Sequence, residues 1–228
     1  MIDSVRNTVL SAVNKNNFGY ITPDDFNLFA KQAQIDIFED YFYQYNTWIN
    51  KMNNRQSGTG YADMIKLIED VIDSLSSTAT LAYASSKFTL PSDYYYIDTI
   101  RYGSKEIDRV SHDKALNLLS SNLTSPSTLY PAYTQEGNKI TVYPDTIITN
   151  VKSQYIRIPK DPKWTYTMTN GSPIFNPYVA DYQDFELPLT DEPLIVAKIL
   201  KYAGLSIREA DVYQFGTAED ISNKQTQG

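Results

Sequence analysis

The stretch Thr22–Met52, TPDDFNLFAKQAQIDIFEDYFYQYNTWINKM, decides how the rest of the chain must be arranged. Thr22 is placed to cap a helix, Pro23 suits its first position, and Asp25 stands in the place of a capping-box acid. Ile21 and Phe26 flank the cap as a hydrophobic staple. No Gly or Pro follows until Gly58, so the stretch predicts one helix of roughly 30 residues, about 45 Å long. At about 100° per residue, Phe26, Phe29, Ala30, Ala33, Ile37, Tyr41 and Trp48 share one apolar face. Ile35, Phe38, Phe42, Tyr45 and Ile49 form a second, adjoining group. Only Gln32, Asp36, Glu39, Asn46 and Asn50 make a firmly polar strip. A surface helix usually hides a stripe a little over about 100° wide, and this one hides about twice that. Either its own chain covers both groups, or a second copy covers the face centred on Phe38, Phe42 and Ile49.

Composition narrows the class. The chain has 228 residues, 42% hydrophobic and 21% charged, which suits a globular protein with a real core. Its net charge of −7 disfavours gripping nucleic-acid phosphate or an anionic membrane. With no cysteine there is no disulfide, thiol nucleophile or Cys-based zinc site. No apolar run approaches the length of a membrane span, and the first residues do not resemble a signal peptide, so the expectation is a protein made in the cytoplasm. The unusual count is 19 tyrosines. Tyrosine brings broad apolar contact with only two torsions to freeze, which suits protein–protein surfaces.

Around the long helix, Ile2, Val5, Val9 and Val13 predict a short first helix, and Tyr61–Leu75 a third that pairs with the second as a hairpin. From about Thr78 the pattern becomes β. Ala79–Leu90, YYYIDTIRY after Pro91, Ile107–Val110, Tyr130–Gln135, Lys139–Tyr143 and Val151–Ile158 read as strands joined by short turns. Ser111 caps a short helix to Leu119. Residues 159–188 fit neither period, hold five prolines and are rich in aromatics, so they read as an ordered, extended arm lying across a neighbour, the alternative being a long loop folded back over its own sheet. Thr190–Ala203 is helical with Gly204 as its stop, and Ser206–Glu209 is a capping box opening another short helix. The fold class is therefore α+β. A helical bundle is built from 1–78 plus 189–215, with an antiparallel β domain inserted at 79–160, an arm at 161–188 and a polar tail at 216–228.

Catalytic constellations are missing. His112 is the only histidine, so neither a nucleophile–base triad nor a His-based zinc site can be assembled within one chain. The acids Asp181, Asp184, Glu186, Asp191 and Glu192 match no calcium-loop spacing and read as solvated or helix-dipole groups. The expectation is a protein with no catalytic, cofactor or metal residues. Its contact residues are Phe38, Phe42 and Ile49 on the long helix, and Trp164, Tyr166, Phe175, Tyr178, Tyr182 and Phe185 in the arm. Deleting 161–186 is then expected to leave a helical fold that cannot assemble.

The order of motifs adds a resemblance. Leu90-Pro91-Ser92-Asp93-Tyr94 with YYIDTIRYG, a helix carrying Ala115-Leu116, Tyr130-Pro131-Ala132-Tyr133, Ile140-Thr141-Val142-Tyr143-Pro144 and Tyr155-Ile156-Arg157-Ile158-Pro159 follow one another. This progression resembles the head–tail connector (adaptor, or tail-tubular) ring proteins of tailed bacteriophages, and most of all the neck ring proteins of crAss-like short-tailed phages. It covers about residues 60–160. The resemblance implies a virion protein in a ring of about twelve copies beneath the portal protein, touching other neck and tail rings, with DNA passing through as cargo. Two rival readings are a receptor- or carbohydrate-binding β module and, more remotely, a metal-dependent hydrolase using the acids at 181–192.

Overall fold

A computed structural model describes residues 1–14, 21–53, 62–207 and 217–218 of the chain. The fold is α+β, with five α-helices and three sheets among the described residues. The chain divides into two compact units, Met1–Val71 with Pro159–Gly228, and Ile72–Ile158.

In the first unit, α1 (Ile2–Asn14) and α2 (Pro23–Asn53) form as their periodicity requires. The Asp25 N–H donates to Thr22 Oγ1 at 3.1 Å, and Ile21 and Phe26 are both buried. Helix α5 (Glu192–Ile207) runs on through Gly204. Glycine costs a helix interior only about 1 kcal/mol, and burial of Ala203 beside it outweighs that. The further helix predicted from Ser206 lies mainly in 208–216, outside the described residues, as does the tail from residue 219. Helix α3 (Ala62–Ser74) is present, but the turn predicted to join it to α2 lies in 54–61, also outside them. The core of this unit joins Ile2, Val5 and Val9 of α1, Phe26, Ala30 and Ile37 of α2, and Ile195, Ile199 and Leu200 of α5.

The second unit holds β1 (Ser76–Thr80), β2 (Ala82–Ala84), β3 (Lys87–Thr89), β4 (Tyr94–Tyr102), β5 (Lys105–Glu106), β6 (Asp108–Arg109), α4 (His112–Leu119), β7 (Ala132–Glu136), β8 (Lys139–Tyr143) and β9 (Val151–Arg157). One sheet has the order β1-β9-β4-β5 and the other β2-β3-β8-β7-β6. Strands β1 and β2 are one chain run that changes sheet at Leu81, and β5 and β6 are another that changes at Ile107. Each edge of one sheet thus continues into an edge of the other, and the hydrogen-bonded ladder closes as a barrel. Closure removes the free edges that an open sheet exposes. The Leu81 N–H donates to the Val151 carbonyl at 2.9 Å and the Ile107 N–H to the Ile100 carbonyl at 2.8 Å, tying both corners. Leu81, Phe88, Ile100, Ile107, Ile140 and Val151 fill the interior.

The β domain is not wholly antiparallel, as the short turns had predicted: β6 and β7 run parallel. A parallel pair needs a crossover connection, and α4 with the loop after it supplies one. Val151, Ser153 and Tyr155 are the buried side of β9, a face its weak alternation left unassigned. Two buried hydroxyls, Thr134 Oγ1 and Ser153 Oγ, find no partner among the described residues. Thr134→Val keeps the shape and removes an unsatisfied hydroxyl. It is expected to stabilise the barrel by about 1 kcal/mol, roughly 4–8 °C in a thermal melt for a unit of this size.

Candidate interaction surface

Residues 159–188 dock on their own chain, chiefly through amide side chains of α2. Gln34 Nε2 donates to the Lys160 carbonyl at 2.7 Å, and its Oε1 accepts the Glu186 N–H at 2.9 Å. Asn27 Oδ1 accepts the Trp164 N–H at 2.8 Å while its Nδ2 donates to the Trp164 carbonyl at 3.3 Å. Between them, Lys31 pairs with Asp161 at 2.7 Å. Asn27, Lys31 and Gln34 stand at i, i+4 and i+7, one helix face, where Asn27 and Gln34 bond backbone groups of the segment and Lys31 its Asp161 carboxylate. The Trp164 ring is 2% exposed. Its Nε1–H donates to Asp3 Oδ1 at 2.9 Å, and the Arg6 guanidinium lies 3.8 Å from the ring centroid.

Beyond Trp164 the segment is not irregular. Strands β10 (Tyr166–Thr169) and β11 (Ser172–Phe175) pair as a hairpin. Asn170 and Gly171 turn it at φ values of 52° and 80°, the positive angles of a type I′ turn. The Asn-Gly dipeptide is a local hairpin signal that stands apart from any helical or strand period. Tyr166 and Phe175 face one another across the strands and both stack on Trp164, with ring centroids 5.5 and 5.9 Å away. Tyr182 meets Phe175 edge-on at 5.8 Å.

The predicted contact residues therefore separate. Trp164 and Phe185 are buried in the core of their own chain and cannot be lent to a neighbour. The picture of 161–188 as an arm laid wholly across another copy is corrected accordingly. Deleting 161–186 would strip the helical unit of core, so the expectation of an intact fold falls with it. Phe175 and Tyr182 are half-buried against the same core, and Tyr166 lies at its margin. Tyr178 is 93% exposed. On α2, Phe38 is buried and does not form a free seam; Phe42 is half-buried, with its ring 6.5 Å from that of Phe38. The Ile49 side chain lies outside the described residues.

The acids of 181–192 do not converge on one point. Asp181 pairs with Lys163, Asp184 accepts the Ile2 N–H at 2.8 Å and so caps α1, and Glu186 accepts the Lys160 N–H at 2.8 Å. Asp191 accepts the Tyr41 hydroxyl at 2.7 Å, and Glu192 accepts that of Ser4. These acids serve as internal ties more than as solvated charges. His112 is exposed, 3.3 Å from Glu136, whose other oxygen is taken by Lys87. Among the described residues no group of three or more His, Cys, Asp or Glu side chains could hold a metal ion.

Burial holds the Asp191 carboxyl above the ordinary aspartate range, against the Tyr41 and Thr190 hydrogen bonds that favour its ionised form. Its contribution to stability is therefore fully present below that range and is lost as pH rises through the folded value. Asp191→Asn keeps an acceptor for Tyr41. The melting temperature of this variant relative to the parent is expected to rise between acid and neutral pH, and a falling difference would contradict the burial argument. In comparisons with known proteins, the chain matches no family model and no curated sequence.

Proposed function

We propose that this chain is a structural, non-enzymatic virion protein: a ring component of the head–tail neck of a tailed phage, joining the portal protein to the tail and letting DNA through. The reading is carried by large apolar side chains left exposed on both units, including Leu116, Leu123, Leu129 and Tyr130 on one and Met168, Ile174 and Tyr178 on the other. Surfaces of this kind favour protein partners. The motif progression shared with connector rings supports it from another side, because its residues frame the barrel. The Tyr155 hydroxyl donates to Asp93 at 3.2 Å, and the Ile158 N–H donates to the Asp93 carbonyl at 2.8 Å. Tyr133 and Val142 are buried inside. A net charge of −7 suits a lumen through which DNA slides without sticking, as passing cargo with no sequence-specific grip.

In this role the chain works as a homo-oligomeric ring seated on the portal and against other neck or tail rings. Multi-angle light scattering of the purified protein, alone and mixed with a portal protein, tests this directly. A closed ring or a portal-bound ring is expected. A monomer at every concentration, with no portal complex, would overturn it.

A further inference from the structure

We infer that Asn170, at the tip of the β10–β11 hairpin, is a self-modification site: its side chain closes on the Gly171 nitrogen and ends as isoaspartate or aspartate, undoing the end of the hairpin. Of the asparagines in the chain, Asn170 alone is followed by glycine. The chemistry needs that neighbour. Ring closure brings the backbone nitrogen of the next residue against the side-chain amide carbon, and a side chain on that residue obstructs the approach. At Gly171 nothing lies within 4 Å of where a Cβ would stand, so the approach is open on the protein side as well.

Both reacting groups are available. Asn170 and Gly171 are exposed, and neither the Asn170 side chain nor the Gly171 N–H has a hydrogen-bond partner among the described residues. Neighbouring asparagines differ. Asn176 donates from Nδ2 to Thr167 Oγ1 at 2.9 Å and precedes Pro177, which has no N–H to react. Asn150 shares a positive φ, 61°, but precedes Val151, which is branched and buried. Ring closure needs rotation about the Asn170 Cα–C bond away from the turn geometry, which the Thr169–Ser172 pair resists. The rate is therefore set by how often the tip opens. All of β10 is exposed, a two-stranded hairpin is marginal in water, and segments with few buried contacts open at low free energy.

In the first step the Gly171 nitrogen bonds to Asn170 Cγ, the Cγ–Nδ2 bond breaks, and ammonia leaves with the proton from the Gly171 N–H. Water then opens the five-membered imide. Attack at the side-chain carbonyl leaves aspartate, and attack at the main-chain carbonyl leaves isoaspartate, with the chain routed through Cβ and Cγ. Isoaspartate lengthens the main chain by one carbon, so a two-residue loop no longer matches its strands. Either product also places a carboxylate in residues 164–180, which hold no Asp, Glu, Lys, Arg or His. The Thr169–Ser172 and Met168–Pro173 pairs are lost, while Tyr166 and Phe175 keep the base stacked on Trp164. The site is independent of the ring reading above.

Peptide mapping by tandem mass spectrometry tests this on the full-length protein, aged at mildly acid and at mildly alkaline pH, with enzymatic methylation of isoaspartate as a second readout. Conversion at position 170 is expected before any at Asn150 or Asn176, faster at alkaline pH, with isoaspartate the larger product. Asn170→Gln, which would need a larger and slower-closing ring, is expected to give none over the same time. Aged protein, separated by ion exchange, is expected to be cleaved within 168–173 several-fold faster than fresh protein in limited proteolysis, with the melt of the helical unit retained. No conversion at position 170, or conversion no faster than at Asn150 and Asn176, would overturn the site, as would aspartate alone, the mark of direct hydrolysis. Equal cleavage of aged and fresh protein would overturn the consequence for the hairpin.

Discussion

Trp164→Ala is expected to destabilise the helical unit by about 3–5 kcal/mol, the usual loss when a fully buried large aromatic is cut back to alanine. Against a typical folding free energy of about 5–15 kcal/mol, that is a large share. The indole lies in the common core of α1, α2 and α5, stacks on Tyr166 and Phe175, sits under Arg6 and donates to Asp3. Truncation opens a cavity and removes a partner from each of these groups at once. At about 2–4 °C per kcal/mol for a unit of this size, the melt should fall by roughly 6–20 °C. Trp164→Phe keeps a ring in the site and loses the N–H donor, so it should cost only about 1–2 kcal/mol. Thermal and urea unfolding followed by circular dichroism read both values. An unchanged melt for Trp164→Ala would return the segment to the role of an arm for a neighbour.

Gln34→Leu is the second large effect, expected at about 2–5 kcal/mol, because a side chain of similar size then leaves two backbone groups without partners. Gln34 is 1% exposed, and its amide serves the Lys160 carbonyl and the Glu186 N–H, one at each end of the docked segment. Each buried group left unmade costs about 1–3 kcal/mol. Gln34→Glu distinguishes amide recognition from packing: a carboxylate still accepts from Glu186 but faces the Lys160 carbonyl oxygen. Its loss should be greater at neutral pH than in acid, whereas a pure packing role would give no such dependence. Limited proteolysis of 160–186 provides a second measure, with cleavage faster in both variants.

Some of this was legible in the residue pattern. The Thr22 cap, the staple of Ile21 and Phe26 and the face Ile2-Val5-Val9-Val13 are local signals, and local chemistry decides them. The α+β class and most strand positions follow likewise from period and turn residues. The breadth of the apolar surface on α2 was also legible, but not what covers it. Part of the cover comes from Trp164, Phe185 and Leu187, which have no helical period and lie more than a hundred positions away in the chain. Asn27, Lys31 and Gln34 were equally hidden. An amide or ammonium on a helix face looks the same in sequence whether it meets water or a distant part of the chain.

By itself, then, the sequence determined most of the helices and strands and the Thr22 and Ser111 caps, because each depends on residues a few positions apart. Tertiary structure alone decided three things. The barrel closes because single strands change sheets at Leu81 and Ile107; β6 pairs in parallel with β7 because α4 carries the chain across; and the aromatic segment folds onto α2 because Gln34 and Asn27 satisfy its backbone. Each is a pairing of groups distant in the chain, and its free energy exists only once both sides are in place.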